Sequence, residues 1–130
     1  MTDAVAHYPG RRGRRVLRTA LGLLDAASES PQESRLRVVI LLGGIPGVVA
    51  NLPITTSGGF HYRGDLAFPE RKVIVEYQSE LHNSPEAFRA DMTRISRLEA
   101  DGWYVMLVNK DDLDDPAELL QRIRQVLATR

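Results

Sequence analysis

The chain has 130 residues, within the ~100–150 of one ordinary domain, which excludes a two-lobed enzyme with its cleft between domains. With 43% hydrophobic and 26% charged residues it has the composition of a soluble globular protein, not of a disordered chain, a collagen-like fibre or a coiled coil. There is no cysteine, which excludes a disulfide framework, a thiolate metal site and a thiol nucleophile, and the 17 basic and 17 acidic residues cancel.

The zero net charge hides an asymmetry. Residues 1–64 hold 8 basic and 4 acidic residues, a net of +4, and residues 65–130 hold 9 and 13, a net of −4. Such a split hints at an anionic partner near the basic part. No apolar run, Val38 to Leu42 among them, approaches the ~18–20 residues that span a bilayer. The start, MTDAVAHYPGRRGRR, has no apolar stretch after its charges, so it does not read as a secretory signal. A cytoplasmic protein without a membrane partner is expected.

In chain order, residues 1–10 read as a loose arm and residues 11–130 as a single domain. Arg11 to Ala27 has helical spacing through Val16, Leu17, Ala20, Leu21 and Leu24, with Arg11, Arg12, Arg14, Arg15 and Arg18 at its start. Ser30-Pro31-Gln32-Glu33 is a helix start: Ser30 as N-cap, Pro31 in the first position, Glu33 closing a capping box. Leu36, Val39 and Ile40 form its stripe, and Gly43-Gly44 ends it. Three extended segments follow. Val48 to Ile54 carries Pro53, which suits an edge strand. Phe60 to Phe68 is the second and Lys72 to Gln78 the third, joined by a tight turn at Pro69-Glu70-Arg71. The run VIVEY is apolar on both faces apart from Glu76, as a covered central strand reads. Asn83-Ser84-Pro85 opens another helix, reaching about Asp101, with Phe88, Met92, Ile95 and Leu98 inward. Trp103 to Val108 is a fourth strand, parallel to a neighbour because a helical crossover precedes it. Asp115-Pro116 opens the last helix. The fold class is α/β (α+β): a mixed four-stranded sheet flanked by helices, in the order α-α-β-β-β-α-β-α.

The informative segment is Arg63 to Gln78. With the turn near residue 70, Asp65 on the second strand faces position 75 or 76 on the third, and Glu76 and Gln78 share a face. Two carboxylates brought together in a covered sheet repel each other and lose hydration, so something must offset both. A divalent cation would do so, since Mg²⁺ takes one or two carboxylates plus substrate phosphate, and Gln78 would ligate or hold water. The alternatives are ion pairs: Asp65 with Arg63, Glu76 with Arg94 or Lys72.

The run GDLAFPERKVIVEYQSELH, followed by D..R...L...GW.V, resembles the Vsr-like part of the PD-(D/E)XK nuclease superfamily, and most closely the family catalogued as domain of unknown function 559. The residues that carry the resemblance are Asp65, Glu76, Gln78, Ser79, His82, Asp91, Arg94, Leu98, Gly102 and Trp103, with Ser30, Pro31, Glu33, Ser34 and Arg37 upstream. It covers roughly residues 10–130. It implies a restriction-endonuclease-like fold and a DNA endonuclease dependent on Mg²⁺ or Mn²⁺, in settings such as repair or phage defence. Asp65 and Glu76 would be the metal ligands, and Glu33 and Gln78 would complete the site. His82 would serve as general acid or base, or contact the scissile phosphate. Arg11, Arg12, Arg14, Arg15 and Arg94 would contact phosphate. Family members often carry a further N-terminal domain, so a separate targeting protein is one partner that the resemblance offers, and the oligomeric state stays open.

Two positions depart from the pattern: Gln78-Ser79 stands where the family has Asp-Gly, and the wider superfamily often has Lys at position 78. Glutamine ligates, donates and accepts but carries no charge and is no base. The alternative function is therefore a nuclease fold whose catalysis has decayed, acting as a DNA- or protein-binding module. Glu33 also has a purely local role in the capping box. Asp91 and Arg94, three apart, read either as an ion pair on a solvated helix face or as Arg94 turning back toward Glu76 or phosphate.

Overall fold

The computed structural model describes residues 30–78 and 84–130. The arm, the helix expected over 11–27, Arg11, Arg12, Arg14, Arg15, Ser79 and His82 lie outside the described residues. Eight elements are seen: α1 (Pro31–Leu42), β1 (Val49–Thr55), β2 (His61–Phe68), β3 (Val73–Tyr77), α2 (Pro85–Ala100), β4 (Tyr104–Val108), α3 (Lys110–Asp114) and α4 (Pro116–Ala128). No described helix is long and apolar enough to cross a membrane. The described chain divides into two compact units, a helical one (30–46 and 111–128) and a sheet unit (47–110 and 129–130).

In the helical unit the expected cap forms. The Ser30 side chain accepts the Glu33 N–H at 3.2 Å and Pro31 takes the first turn. α1 meets α4 closely at Gly43, where an added Cβ would come within 2.6 Å of the Leu120 side chain, and Arg124 donates to the Gly43 carbonyl at 2.7 Å. The short helix α3 was not foreseen in the sequence. Arg35 ties it to α1 by donating to the Leu113 carbonyl at 2.8 Å, and Arg122 ties it to α4 by bridging Asp112 (2.7 Å) and Glu118 (2.5 Å).

The sheet unit holds four strands in the order β1-β2-β3-β4. β1–β2 and β2–β3 are antiparallel and β3–β4 is parallel, so the α2 crossover delivers the parallel strand as expected. Pro53 lies on an edge strand, and β3 is central with Val73, Ile74 and Val75 fully buried. One sheet face carries a core cluster of Ile54, Ala67, Ile74 and Val105 under Leu98 of α2 and Trp103, with Leu52, Tyr62 and Ile95 packed against it. α2 begins at the Ser84 cap, whose side chain accepts the Ala87 N–H at 3.0 Å, and ends before Gly102, whose φ of 91° suits only glycine.

The β1–β2 ladder contains a kink. It pairs Val49 with Ala67 and Ala50 with Leu66, then resumes at Leu52 with Gly64, leaving Asn51 across from Asp65. Asn51 has φ 53°, a left-handed conformation that asparagine tolerates and β-branched residues do not. Strict alternation fails here. A Cβ on Gly64 would lie 3.5 Å from the Ala67 Cβ and 3.4 Å from Ile74, so positions 64 and 67, three apart, both address the core cluster. Asn51→Val should therefore be less stable than Asn51→Gly, which keeps the left-handed backbone without strain, by about 1–2 kcal/mol, a difference in Tm of roughly 3–8 °C in a thermal melt.

The first half of α2 is rotated relative to expectation. Leu98 is buried and Ile95 half-buried, but Phe88 and Met92 are 46% and 56% exposed. Asp91 and Arg94 face the sheet instead. The cause lies beneath them: this end of the sheet presents carboxylates, which a guanidinium satisfies and a phenyl ring does not.

Candidate active site

The site grows from the β2–β3 pairing. Leu66 stands opposite Val75 and Ala67 opposite Ile74, so the next step back along β2 brings Asp65 across from Glu76. Of the two positions the sequence offered to Asp65, 76 is the one that shares a concavity with it. Gln78 follows two residues beyond Glu76, its N–H held by the Val108 carbonyl at 2.7 Å. α2 supplies Asp91 and Arg94 from the helix that covers the core cluster. Together Arg63, Asp65, Glu76, Tyr77, Gln78, Asp91 and Arg94 line an open concavity of about 330 Å³.

Its centre is a charge network. Glu76 is 7% exposed. Arg94 grips it with a two-pronged contact, Nη2 to Oε1 at 2.6 Å and Nη1 to Oε2 at 3.2 Å, while its Nε donates to Asp91 Oδ1 at 3.0 Å. Fork-to-fork geometry of this kind is the strongest an arginine makes. Asp65 is more open, with a side chain 28% exposed, and its partner Arg63 stands 3.5 Å away and is mostly in solvent. Of the ion pairs that the sequence offered as alternatives, Glu76 with Arg94 forms tightly and Asp65 with Arg63 loosely, while Lys72 donates to the Asp101 carbonyl instead.

Burial pushes the Glu76 carboxyl above its ordinary range. The Arg94 hydrogen bonds and charge pull it back, and the charges of Asp65 and Asp91 push it up again. The net shift is upward, so Arg94 does not fully compensate the buried carboxylate. Burial alone would lower the affinity of Arg94 for its proton, but Glu76 and then Asp91 outweigh it and keep the guanidinium charged.

Three carboxylates face two guanidiniums around the concavity, an excess of one negative charge. Among the described residues no three acidic or histidine side chains form a ready-made cage. The donor set is nonetheless one that Mg²⁺ accepts: one open carboxylate, one buried carboxylate and a neutral amide, with room for water and phosphate. The fit has one condition. Both Glu76 oxygens accept from Arg94, so an ion ligated by Glu76 would share that carboxylate with a guanidinium of like charge.

Four of the residues assigned from sequence thus meet here: Asp65, Glu76, Gln78 and Arg94. Glu33 belongs to the helical unit, where its N–H takes the Ser30 cap. His82 and Arg11, Arg12, Arg14 and Arg15 lie outside the described residues. Tyr77 was not foreseen as part of the site. Asp91 had a signal, its spacing of three from Arg94, and Arg63 had one as the basic neighbour of Asp65.

Fold and site together define a small mixed α/β protein with a charged, open concavity at one end of its sheet. No family model matches the chain. It is similar to two proteins of Mycobacterium tuberculosis, uncharacterized protein MT2308 of strain CDC 1551 and uncharacterized protein Rv2248 of strain H37Rv, each 35% identical over 127 residues, 96% of this chain. The chain spans about half the length of these curated relatives, 47% in each case.

Proposed function

We propose that this chain is a metal-dependent DNA endonuclease domain of the Vsr-like type, with a restriction-endonuclease-like fold, working in the cytoplasm. The observation that carries this reading is the meeting of Asp65 and Glu76, from adjacent strands, with Gln78 in one open concavity that also holds arginines. Asp65 and Glu76 would hold Mg²⁺ or Mn²⁺, with Gln78 as neutral ligand or water holder. When bound, the ion supplies a Lewis acid and an activated water for phosphodiester hydrolysis. Arg94 and Arg63 orient the phosphate and offset its charge. Gln78 would position water but takes no proton, so proton transfer falls to another group, for which His82 is the candidate that the resemblance names.

A second reading is favoured by one contact. Arg94 already occupies both oxygens of Glu76, as in a site that has given up catalysis and binds DNA only. A cleavage assay separates the two, using supercoiled, linear, nicked and mismatched DNA with Mg²⁺, Mn²⁺ or EDTA. The endonuclease reading expects metal-dependent nicking or cleavage that falls about 10³-fold in Asp65→Ala, the worth of several kcal/mol of charge stabilisation. Undiminished cleavage by that variant overturns it. Salt-sensitive DNA binding with no cleavage of any form selects the binding module. In either reading, converting Arg11, Arg12, Arg14 and Arg15 to alanine should lower the slope of log K against log salt by about 3–4, measured by fluorescence anisotropy.

A further inference from the structure

Resting on the reading of Asp65 and Glu76 as ligands, we propose that Arg94 is a switch that makes metal capture at this site depend on phosphate capture. In the structure the guanidinium already engages the carboxylate proposed as a ligand, with Nη1 and Nη2 on the two oxygens of Glu76 at 3.2 and 2.6 Å. A dication and a guanidinium drawn to one carboxylate repel each other at close range, so they compete for Glu76. Arg94 has somewhere to go. Its Nε remains tethered to Asp91 at 3.0 Å, its side chain borders the open concavity and is 20% exposed, and three of its five donors serve the two carboxylates.

A phosphodiester entering the concavity offers those donors an anion, and the Asp91 tether keeps the swing short. Glu76 is then released to the ion. Each ligand removes the other's obstacle, so each must raise the affinity of the other by the same factor. Without DNA the site holds its own cation and takes a second one poorly. That limits idle metal occupancy and confines the assembled centre to the substrate-bound state.

The test is Mn²⁺ binding, read from the free-ion electron paramagnetic resonance signal, with and without a short DNA duplex and corrected for Mn²⁺ held by the duplex alone. Alongside the native chain stand Arg94→Gln, which retains hydrogen bonding to Glu76, Arg94→Lys, which retains the charge, and Asp65→Asn. Native fold is checked by circular dichroism. Native protein should bind Mn²⁺ weakly alone and about tenfold more tightly with DNA. Arg94→Gln should bind about tenfold more tightly than native without DNA and gain nothing from it, and Arg94→Lys should fall between. Equal affinity in native and Arg94→Gln proteins, or weaker binding in the latter, overturns the switch, while loss of binding in Asp65→Asn leaves the metal site standing. No protein-bound Mn²⁺ in any protein, with or without DNA, removes the metal site and the switch with it.

Discussion

Replacing Arg94 with alanine is expected to cost about 3–5 kcal/mol of folding free energy at neutral pH, the scale for stripping one partner from a buried ion pair. The cost comes from what remains. Glu76 is 7% exposed and its carboxyl is pushed up by burial even with Arg94 in place. Without the guanidinium it faces Asp65 and Asp91 with no described cation in direct contact. A domain of this size holds only ~5–15 kcal/mol in all, so the loss should appear as a drop in Tm of roughly 10–20 °C. Two controls separate this cause from lost packing. Adding Glu76→Gln to Arg94→Ala should recover most of the loss, because the uncompensated charge has been removed. The deficit should also shrink as pH falls, because protonation neutralises Glu76 without the second substitution. An Arg94→Ala variant within ~1 kcal/mol of native at neutral pH would show that the pair is structurally idle.

The network was only partly legible in the sequence, and the reasons are physical. Helix starts were readable because capping is local: Ser30-Pro31 and Ser84-Pro85 place a hydroxyl and a ring-locked φ where the first turn needs them. Strand roles were readable because Pro53 lacks a ladder donor and VIVEY is apolar on both faces. The meeting of Asp65 with Glu76 was readable to within one residue, because a short turn fixes register once its length is known. The kink at Asn51 was not readable. A left-handed asparagine in a strand has no sequence signature, nor has the break in alternation on the neighbouring β2, where Gly64 and Ala67 both address the core. The rotation of α2 was hidden for a different reason. Phe88 and Met92 share the apolar period of Ile95 and Leu98, and periodicity cannot register that the surface under the first two turns is acidic. Tertiary electrostatics decided that face, and the same rotation brings Arg94 to Glu76.

On the endonuclease reading proposed above, Glu76→Gln should cripple cleavage while leaving the fold as stable as before, or more so. On the activity side, losing one of the two proposed charged ligands should cost about 10³-fold, measured with Mn²⁺ on supercoiled, linear, nicked and mismatched DNA. On the stability side the sign follows from the upward shift of the Glu76 carboxyl from its ordinary value of 4.5. The folded chain retains this proton to higher pH than the unfolded chain. Unfolding therefore releases a proton between the two values, and this group's contribution to stability falls as pH rises through that window. Above it the buried carboxylate is a constant penalty. Glutamine keeps the shape and an acceptor for Arg94, which also holds Asp91, and it removes the penalty. Melts from about pH 4 to about pH 8 should show the two proteins alike at the acid end and Glu76→Gln level with or above native at the neutral end. A site kept at a standing cost in stability is what selection for chemistry leaves behind, whereas a purely structural ion pair should lose stability when Glu76 is neutralised. Loss of more than ~1 kcal/mol in Glu76→Gln at neutral pH, with DNA cleavage intact, would assign the pair to the fold and not to the reaction.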